Sequence, residues 1–143
     1  MQKIRKLMIV GMLMAISSCA ITQRIVETDM NCPDAPKCVS SEVQDQRHFI
    51  EPFSFHDQPE EAMRRLKQAL LTEKRVTIMK ETPAYLHAEV RSLVFRFVDD
   101  VEFSLLPEQK KIQIRSSARV GYTDFGVNRR RIERIRQLFN ENQ

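Results

Sequence analysis

Arginine is the residue type that recurs in the C-terminal half of this chain, and its guanidinium group can bind an anion. The candidate set is Arg91, Arg96, Arg115, Arg119, Arg129, Arg130 and Arg131. A guanidinium presents donors in a fork that fits carboxylates and phosphates. The last three arginines open a predicted helix, where free N–H groups add to the attraction for an anion. The sequence therefore predicts a binding surface for a small anionic ligand.

A second interpretation of the same arginines is structural. On the strands, the alternation also fits a solvated face with cross-strand ion pairs. Positive charge at a helix N-terminus is unfavourable, so partners are expected for the last three arginines. The available carboxylates are Asp99, Asp100, Asp124 and Glu133. Both interpretations stay open at the level of sequence.

Catalytic chemistry has a thinner basis in the sequence. His87 and Glu89 lie two residues apart on one predicted strand face, and with Asp100 they could form a general acid and base. A histidine on a charged face is also an ordinary surface residue. The chain has no Ser-centred glycine elbow, phosphate-binding glycine loop or dinucleotide motif. We therefore expect a binding or accessory module, with a small hydrolase-like enzyme that uses His87 and a carboxylate as the alternative.

Cysteines supply the remaining reactive groups. Cys32 and Cys38 lie in one proline-containing segment, and in an oxidising compartment they are expected to form a disulfide around a small loop. A reactive or metal-binding thiol pair is the alternative. The three histidines are scattered and none has a zinc-like spacing to these cysteines. We therefore predict no metal and no cofactor.

The first nineteen residues have the organisation of an export signal. Three cations (Lys3, Arg5 and Lys6) precede an apolar run over 7–16 that is too short to span a bilayer of roughly 30 Å. The small residues before Cys19 resemble the lipobox of bacterial lipoproteins, which implies removal of residues 1–18 and lipidation of Cys19. With Ala20 next, the similarity favours the outer membrane over the inner. The expected location is the bacterial cell envelope, lipid-anchored and facing the periplasm.

The charge and length of the chain limit the classes of partner and the number of domains that can be expected. The chain has 143 residues and a formal charge of +4, which falls to +1 once the three cations of the signal are removed. Such a weak charge gives no reason to expect nucleic-acid binding. The predicted partners are the membrane, through the lipid anchor, and an envelope protein or small anionic ligand. Residues 19–30 are predicted to be a linker, and 31–143 a single domain.

The elements that must position these residues follow from hydrophobic periodicity. Helical spacing predicts a helix over about 58–72, with Asp57 as its side-chain cap and Pro59 in its first turn. A second helix is predicted over about 128–140. Period-two alternation predicts strands over 76–80, 84–91, 95–106 and 111–118. The expected fold is α+β, a four-stranded antiparallel sheet with two helices packed on one face.

Alternation also assigns side chains to the two faces of that sheet. Phe95 and Phe97 are expected on the apolar face with Val101 and Phe103, opposite Arg96. The two glycines at 121 and 126 are expected at backbone conformations that other residues resist.

Three blocks of the sequence resemble the domain-of-unknown-function 1499 family over about residues 31–140. The blocks are CPDAPKCVSS (32–41), YLHAEVRS (85–92) running into FRFVDDVEF (95–103), and SARVGYTDFGVNRRR (117–131). Where the family has asparagine and glutamine, this chain has Lys37 and Glu42. The resemblance implies an exported or membrane-associated envelope protein and no assigned activity.

Overall fold

Two helices form where the apolar spacing predicts them. The computed structural model describes residues 29–142, and in it α1 covers Pro59–Leu71 and α2 covers Val127–Glu141. Pro59 occupies the first turn of α1, where its missing N–H costs nothing. The predicted helices are confirmed to within one residue at each end.

The predicted cap of α1 is wrong. Gln58 is the N-cap, and it makes no side-chain hydrogen bond to the helix. Asp57 instead accepts hydrogen bonds from Arg65 Nε and Nη2, both at 3.0 Å. Arg65 is buried, so the carboxylate neutralises a guanidinium inside the protein instead of capping the helix.

The sheet has six strands, not the four predicted. They are β1 (Cys38–Ser40), β2 (Phe53–Ser54), β3 (Val76–Thr82), β4 (Tyr85–Arg91), β5 (Val98–Leu106) and β6 (Lys111–Ala118). The order is β1-β6-β5-β4-β3, all antiparallel, and β2 also pairs with β6. Strands β1 and β2 have three and two residues, too few for an alternating pattern to reveal them.

The start of β5 also differs from the prediction. The strand begins at Val98, so Phe95 and Phe97 belong to the β4–β5 loop, with 74% and 50% of their surface exposed. Their rings stack at 5.4 Å, outside the core. Arg96 lies in the same loop with a left-handed φ of 54°, so it is not on the charged sheet face.

One hydrophobic core joins helices, strands and the segment before α1. The apolar residues of β4, β5 and β6 are buried together with residues from both helices, as alternation predicted for the strands. Ile50, Phe53 and Phe55 complete the core from the segment before α1. An α+β fold with an antiparallel sheet is therefore confirmed. The packing of both helices on one face stays a prediction.

The predicted disulfide is present between Cys32 and Cys38, whose Cα atoms lie 5.6 Å apart. The predicted signal peptide (1–18), the lipidation site at Cys19 and most of the predicted linker lie outside the described residues. Within 29–142, neither helix has the length and apolar character needed to cross a membrane.

Candidate functional site

The register of β4, β5 and β6 builds a face of opposite charges, here called the charged face. Antiparallel partners point to the same side of a sheet. One row therefore joins Glu89 to Asp100, and the next joins His87 to Glu102 and Arg115. Because carboxylates and cations sit in neighbouring rows, each arginine of this face has an acidic side chain within reach.

Arg119 is the centre of the first ion-pair network on the charged face. Its guanidinium donates to Asp100 at 2.7 Å through Nε and Nη2, and to Glu89 at 2.6 Å. Arg91 donates to the other oxygen of Glu89 at 2.8 Å. The hydrogen bonds that Arg119 donates to Asp100 and then to Glu89 raise the pKa of Arg119 above its usual value. Three carboxylate oxygens thus already accept hydrogen bonds from Nε and Nη2 of this guanidinium.

His87 joins this network through Asp100. Its Nε2 lies 2.8 Å from Oδ1 of Asp100. Burial acts to raise the pKa of Asp100, but hydrogen bonds from Arg119 and His87 outweigh it, and the pKa lies below 3.8. The predicted His87–carboxylate pair therefore exists with Asp100, whereas Glu89 binds the two arginines. Asp100 is held as an anion, which suits orientation of an imidazole better than proton transfer.

A second network on the charged face centres on Glu102. Its two oxygens accept hydrogen bonds from Tyr85 Oη at 2.7 Å and from Arg115 at 2.8 Å. Arg115 also donates to the backbone carbonyl of Asn31 at 2.8 Å. The first described residues therefore lie against the charged face, and Met30 there is only 2% exposed although it is not part of the core cluster.

Arg131 is buried in a polar cluster on the opposite side of β5. Its Nη2 donates to Asp99 at 2.6 Å, and its Nη1 donates to Asn128 at 2.7 Å. Ser116 donates to the same oxygen of Asn128. No buried side-chain polar atom within residues 29–142 lacks a hydrogen bond. This confirms Asp99 as the carboxylate partner of Arg131.

Asp124 organises the start of α2. Its carboxylate accepts hydrogen bonds from the backbone N–H groups of Gly126 at 2.9 Å and Asn128 at 2.8 Å. A carboxylate there satisfies free donors and offsets the helix dipole. Gly126 has the left-handed φ of 76° that glycine adopts readily, and Gly121 likewise has a φ of 83°, as predicted.

Two loops at one end of the sheet carry most of the exposed large apolar residues. Ala118 of β6 pairs with Asp99 of β5, so residues 92–97 before β5 and 119–126 after β6 lie at the same end. We call these two segments, with the following residues up to 130, the loop end. Its most exposed apolar side chains, between 72% and 83%, are Leu93, Val94, Phe95, Tyr122 and Phe125.

The arginines of the loop end differ from those of the charged face. Arg96 forms no hydrogen bond or ion pair to any other described residue. Arg129 donates to the carbonyl of Arg47 at 3.0 Å, and Arg130 to the carbonyl of Phe125 at 2.9 Å. None of the three has a carboxylate partner among residues 29–142. Of the seven candidate arginines, these three therefore keep their charge uncompensated.

The structure thus divides the predicted anion-binding set. It brings Arg91 and Arg119 together with Glu89, Asp100 and His87. It places Arg115 in the Glu102 network and Arg131 in the buried cluster, and it leaves Arg96, Arg129 and Arg130 at the loop end. The anion-binding role stays a prediction for all seven.

Sequence reasoning missed the buried cluster, although the spacing contains it. Asn128 lies on the apolar stripe of α2 with Ile132 and Ile135. Ser116 lies on the same face of β6 as Ile114, the face that is turned toward the core. Polar residues at apolar positions are the signal for a buried hydrogen-bond network.

The described residues form no metal-ligand cluster, and two arginines that line the groove beside α2 are paired with carboxylates. In the described part of the chain, no three side chains of the types His, Cys, Asp and Glu lie together as metal ligands. An open groove of about 610 Å³ beside α2 contains Arg131 and Arg134, which are paired with Asp99 and Glu73. At the loop end, by contrast, exposed apolar side chains lie together with three arginines that have no carboxylate partner among residues 29–142.

A known protein family matches most of the chain. The model of a family described as "Protein of unknown function (DUF1499)" matches residues 30–139, which include the charged face, the buried cluster and nearly the whole of α2. No curated protein matches the chain, and no solved structure matches it.

Proposed function

This chain belongs to the DUF1499 family, and since that family's description assigns no activity, we propose a function from the chain's own residues. The protein is a non-catalytic binding module of a bacterial cell envelope. It is lipid-anchored through Cys19, faces the periplasm, and sits at the outer membrane in preference to the inner. It binds its partner, an envelope protein or an anionic ligand, through the loop end.

The observation that carries this proposal is the contrast in carboxylate pairing between the arginines. Those of the charged face already bind carboxylates, so an anion there would have to displace an internal partner. At the loop end, Arg96, Arg129 and Arg130 have no carboxylate partner and lie among side chains that are largely exposed. Exposed apolar side chains grouped with unpaired cations are typical of interaction surfaces.

Photo-crosslinking in whole cells tests the use of the loop end. A photoreactive amino acid replaces Phe125, which is 83% exposed, and a matched control replaces Leu71, which is 51% exposed on α1. We expect a discrete adduct from position 125 and none from position 71. Equal crosslinking at the two positions, or none at either, would contradict the proposal.

The envelope anchor has its own test. Cells fed a labelled fatty acid should transfer the label to the wild-type protein, and C19A should abolish transfer and release the chain from the membrane fraction. A C19A protein that remains tethered would show that another segment holds it.

The enzyme alternative depends on the 2.8 Å contact between His87 and Asp100. Wild type and H87A should be screened against ester, phosphate and glycoside substrates, with H56A as the control because His56 is exposed and lies outside the charged face. We expect no turnover from any of them. Turnover that is lost only in H87A would replace the binding module with a hydrolase.

A further inference from the structure

We infer that the loop end docks onto the surface of an anionic phospholipid bilayer. The inference deepens the proposed function, because it names the partner of the same surface. It follows from three properties of the loops: their apolar side chains, their charge balance, and the route of the N-terminal segment.

The apolar side chains project from loops and not from a groove. Phe95 is 74%, Tyr122 75% and Phe125 83% exposed. Aromatic rings with an apolar body enter the boundary between headgroups and acyl chains readily, and tyrosine keeps its hydroxyl in the wet layer. Side chains carried on two separate loops at one end can enter a deformable surface together without a matching cavity in the partner.

The charge balance of the loop end complements an anionic surface. Residues 92–97 and 119–130 contain four arginines and a single acidic residue, Asp124. The carboxylate of Asp124 is turned inward onto the N–H groups of Gly126 and Asn128. Arg119 is compensated by Glu89 and Asp100. The three remaining guanidinium groups have no carboxylate partner among residues 29–142, so their charge can attract the phosphate groups of a bilayer surface.

The N-terminal segment approaches the loop end. The backbone carbonyl of Pro36 accepts a hydrogen bond from Asp124 N at 3.3 Å, and Lys37 Nζ donates to the carbonyl of Arg119 at 3.3 Å. Pro36 lies only 17 positions after the candidate anchor, Cys19, in the sequence. A bilayer that holds Cys19 is therefore within reach of the loops, and a lipid chain plus a basic apolar surface gives the two signals that stable membrane attachment needs.

A single-tryptophan experiment tests the docking, since the chain contains no tryptophan. F125W is made in the full chain with C19A, and L71W in the same background is the matched control. The vesicles contain phosphatidylethanolamine and about 30% phosphatidylglycerol, with brominated acyl chains as quenchers. We expect blue-shifted, quenched emission from F125W and unchanged emission from L71W. Position-specific quenching distinguishes docking of the loops from attachment through residues 1–28.

A second set of variants tests the charge. In the F125W background, R96Q/R129Q/R130Q should weaken vesicle binding by at least about tenfold and reduce its dependence on salt. The control R64Q/K67Q/K111Q removes three cations from positions outside the loop end and should leave binding unchanged.

Several outcomes would overturn the inference. They are quenching of both tryptophan positions or of neither, equal binding to neutral phosphatidylcholine vesicles, and an emission shift that follows protein concentration without vesicles, which would indicate a second copy as the occupant. A protein adduct at position 125 in cells without vesicle quenching would keep the proposed function and reject the bilayer as partner.

Discussion

The charged face and the loop end use the same residue type in opposite ways. On the charged face, Arg91, Arg115 and Arg119 all form ion pairs with carboxylates of β4 and β5. At the loop end no strand pairing operates, and Arg96, Arg129 and Arg130 have no carboxylate partner among residues 29–142. Whether an arginine has a carboxylate partner therefore depends on tertiary packing more than on the charge of the sequence around it.

The same contrast appears between adjacent residues of α2. Arg130 and Arg131 differ by one position, yet Arg131 is 5% exposed against Asp99 whereas Arg130 binds only a carbonyl at the surface. Arg131 is thus placed to stabilise the fold, whereas Arg130 is placed for the binding role that we propose. Substitutions at the two positions should separate these roles.

The largest expected effect comes from R131Q. Removing this guanidinium leaves Asp99 and Asn128 without their buried donor, and losing one partner of a buried pair costs about 3 kcal/mol or more. Urea unfolding followed by circular dichroism measures the loss. R130Q is the control, with an expected change below about 0.5 kcal/mol. Equal losses in the two variants would remove the distinction between them.

The next effect comes from the disulfide, which holds the N-terminal segment beside both regions. C32S/C38S removes a ring closed over a sequence separation of 6 and should lower the free energy of unfolding by about 2 kcal/mol. Thermal unfolding with and without reductant measures it. Reductant should destabilise the wild type to the level of the variant and leave the variant unaffected, and any other response would place the stabilisation elsewhere.

A smaller effect is expected for D100N on the charged face. The pKa of Asp100 lies below its usual 3.8, so the stability from its ionised form is present above that unfolded value and is lost as pH falls through the lower pKa of the folded state. D100N should cost about 1 kcal/mol near neutral pH, since the site is partly exposed, and should flatten the fall in stability toward pH 3.

Urea midpoints between pH 3 and 7 measure this dependence. The matched control is D34N, because Asp34 is exposed and forms no ion pair with any residue in 29–142. An unchanged pH profile for D100N would mean that its network contributes no stability.

The smallest effect is expected for R129Q/R130Q at the loop end. Their hydrogen bonds go only to exposed carbonyls, so the double variant should change the free energy of unfolding by less than about 0.5 kcal/mol. Chemical unfolding measures this. A loss of unfolding free energy near that of R131Q would show that these arginines support the fold, and the two regions would then not differ in the way described.

The sequence pattern correctly predicted the longer helices and strands. Both helices and the four longer strands were predicted because apolar residues recur at clear spacing over seven residues or more. The short β1 and β2 carry no such signal. The start of β5 was misplaced because Phe95 and Phe97 continue the alternation of the strand although they lie in the loop before it.

The candidate site was recovered less completely, for a physical reason. Which carboxylate meets which arginine depends on cross-strand register and on tertiary packing, as in the pairing of Arg119 with Glu89 thirty residues away. Local sequence contains the residues but not their register. The exposure of Phe125 and Tyr122 is likewise invisible to a pattern that treats apolar residues as core.

The disulfide also determines how tension would travel through the protein. A pull on the chain before Asn31 passes from Cys32 directly to Cys38 through the sulfur atoms, so residues 33–37 carry no load. The residues that bear no tension include Pro36 and Lys37, which contact the loop end. The force is delivered to the β1–β6 edge at Cys38 and Ser117. Tension on the chain before Asn31 would therefore bypass the segment that contacts the loops that we propose to bind a partner.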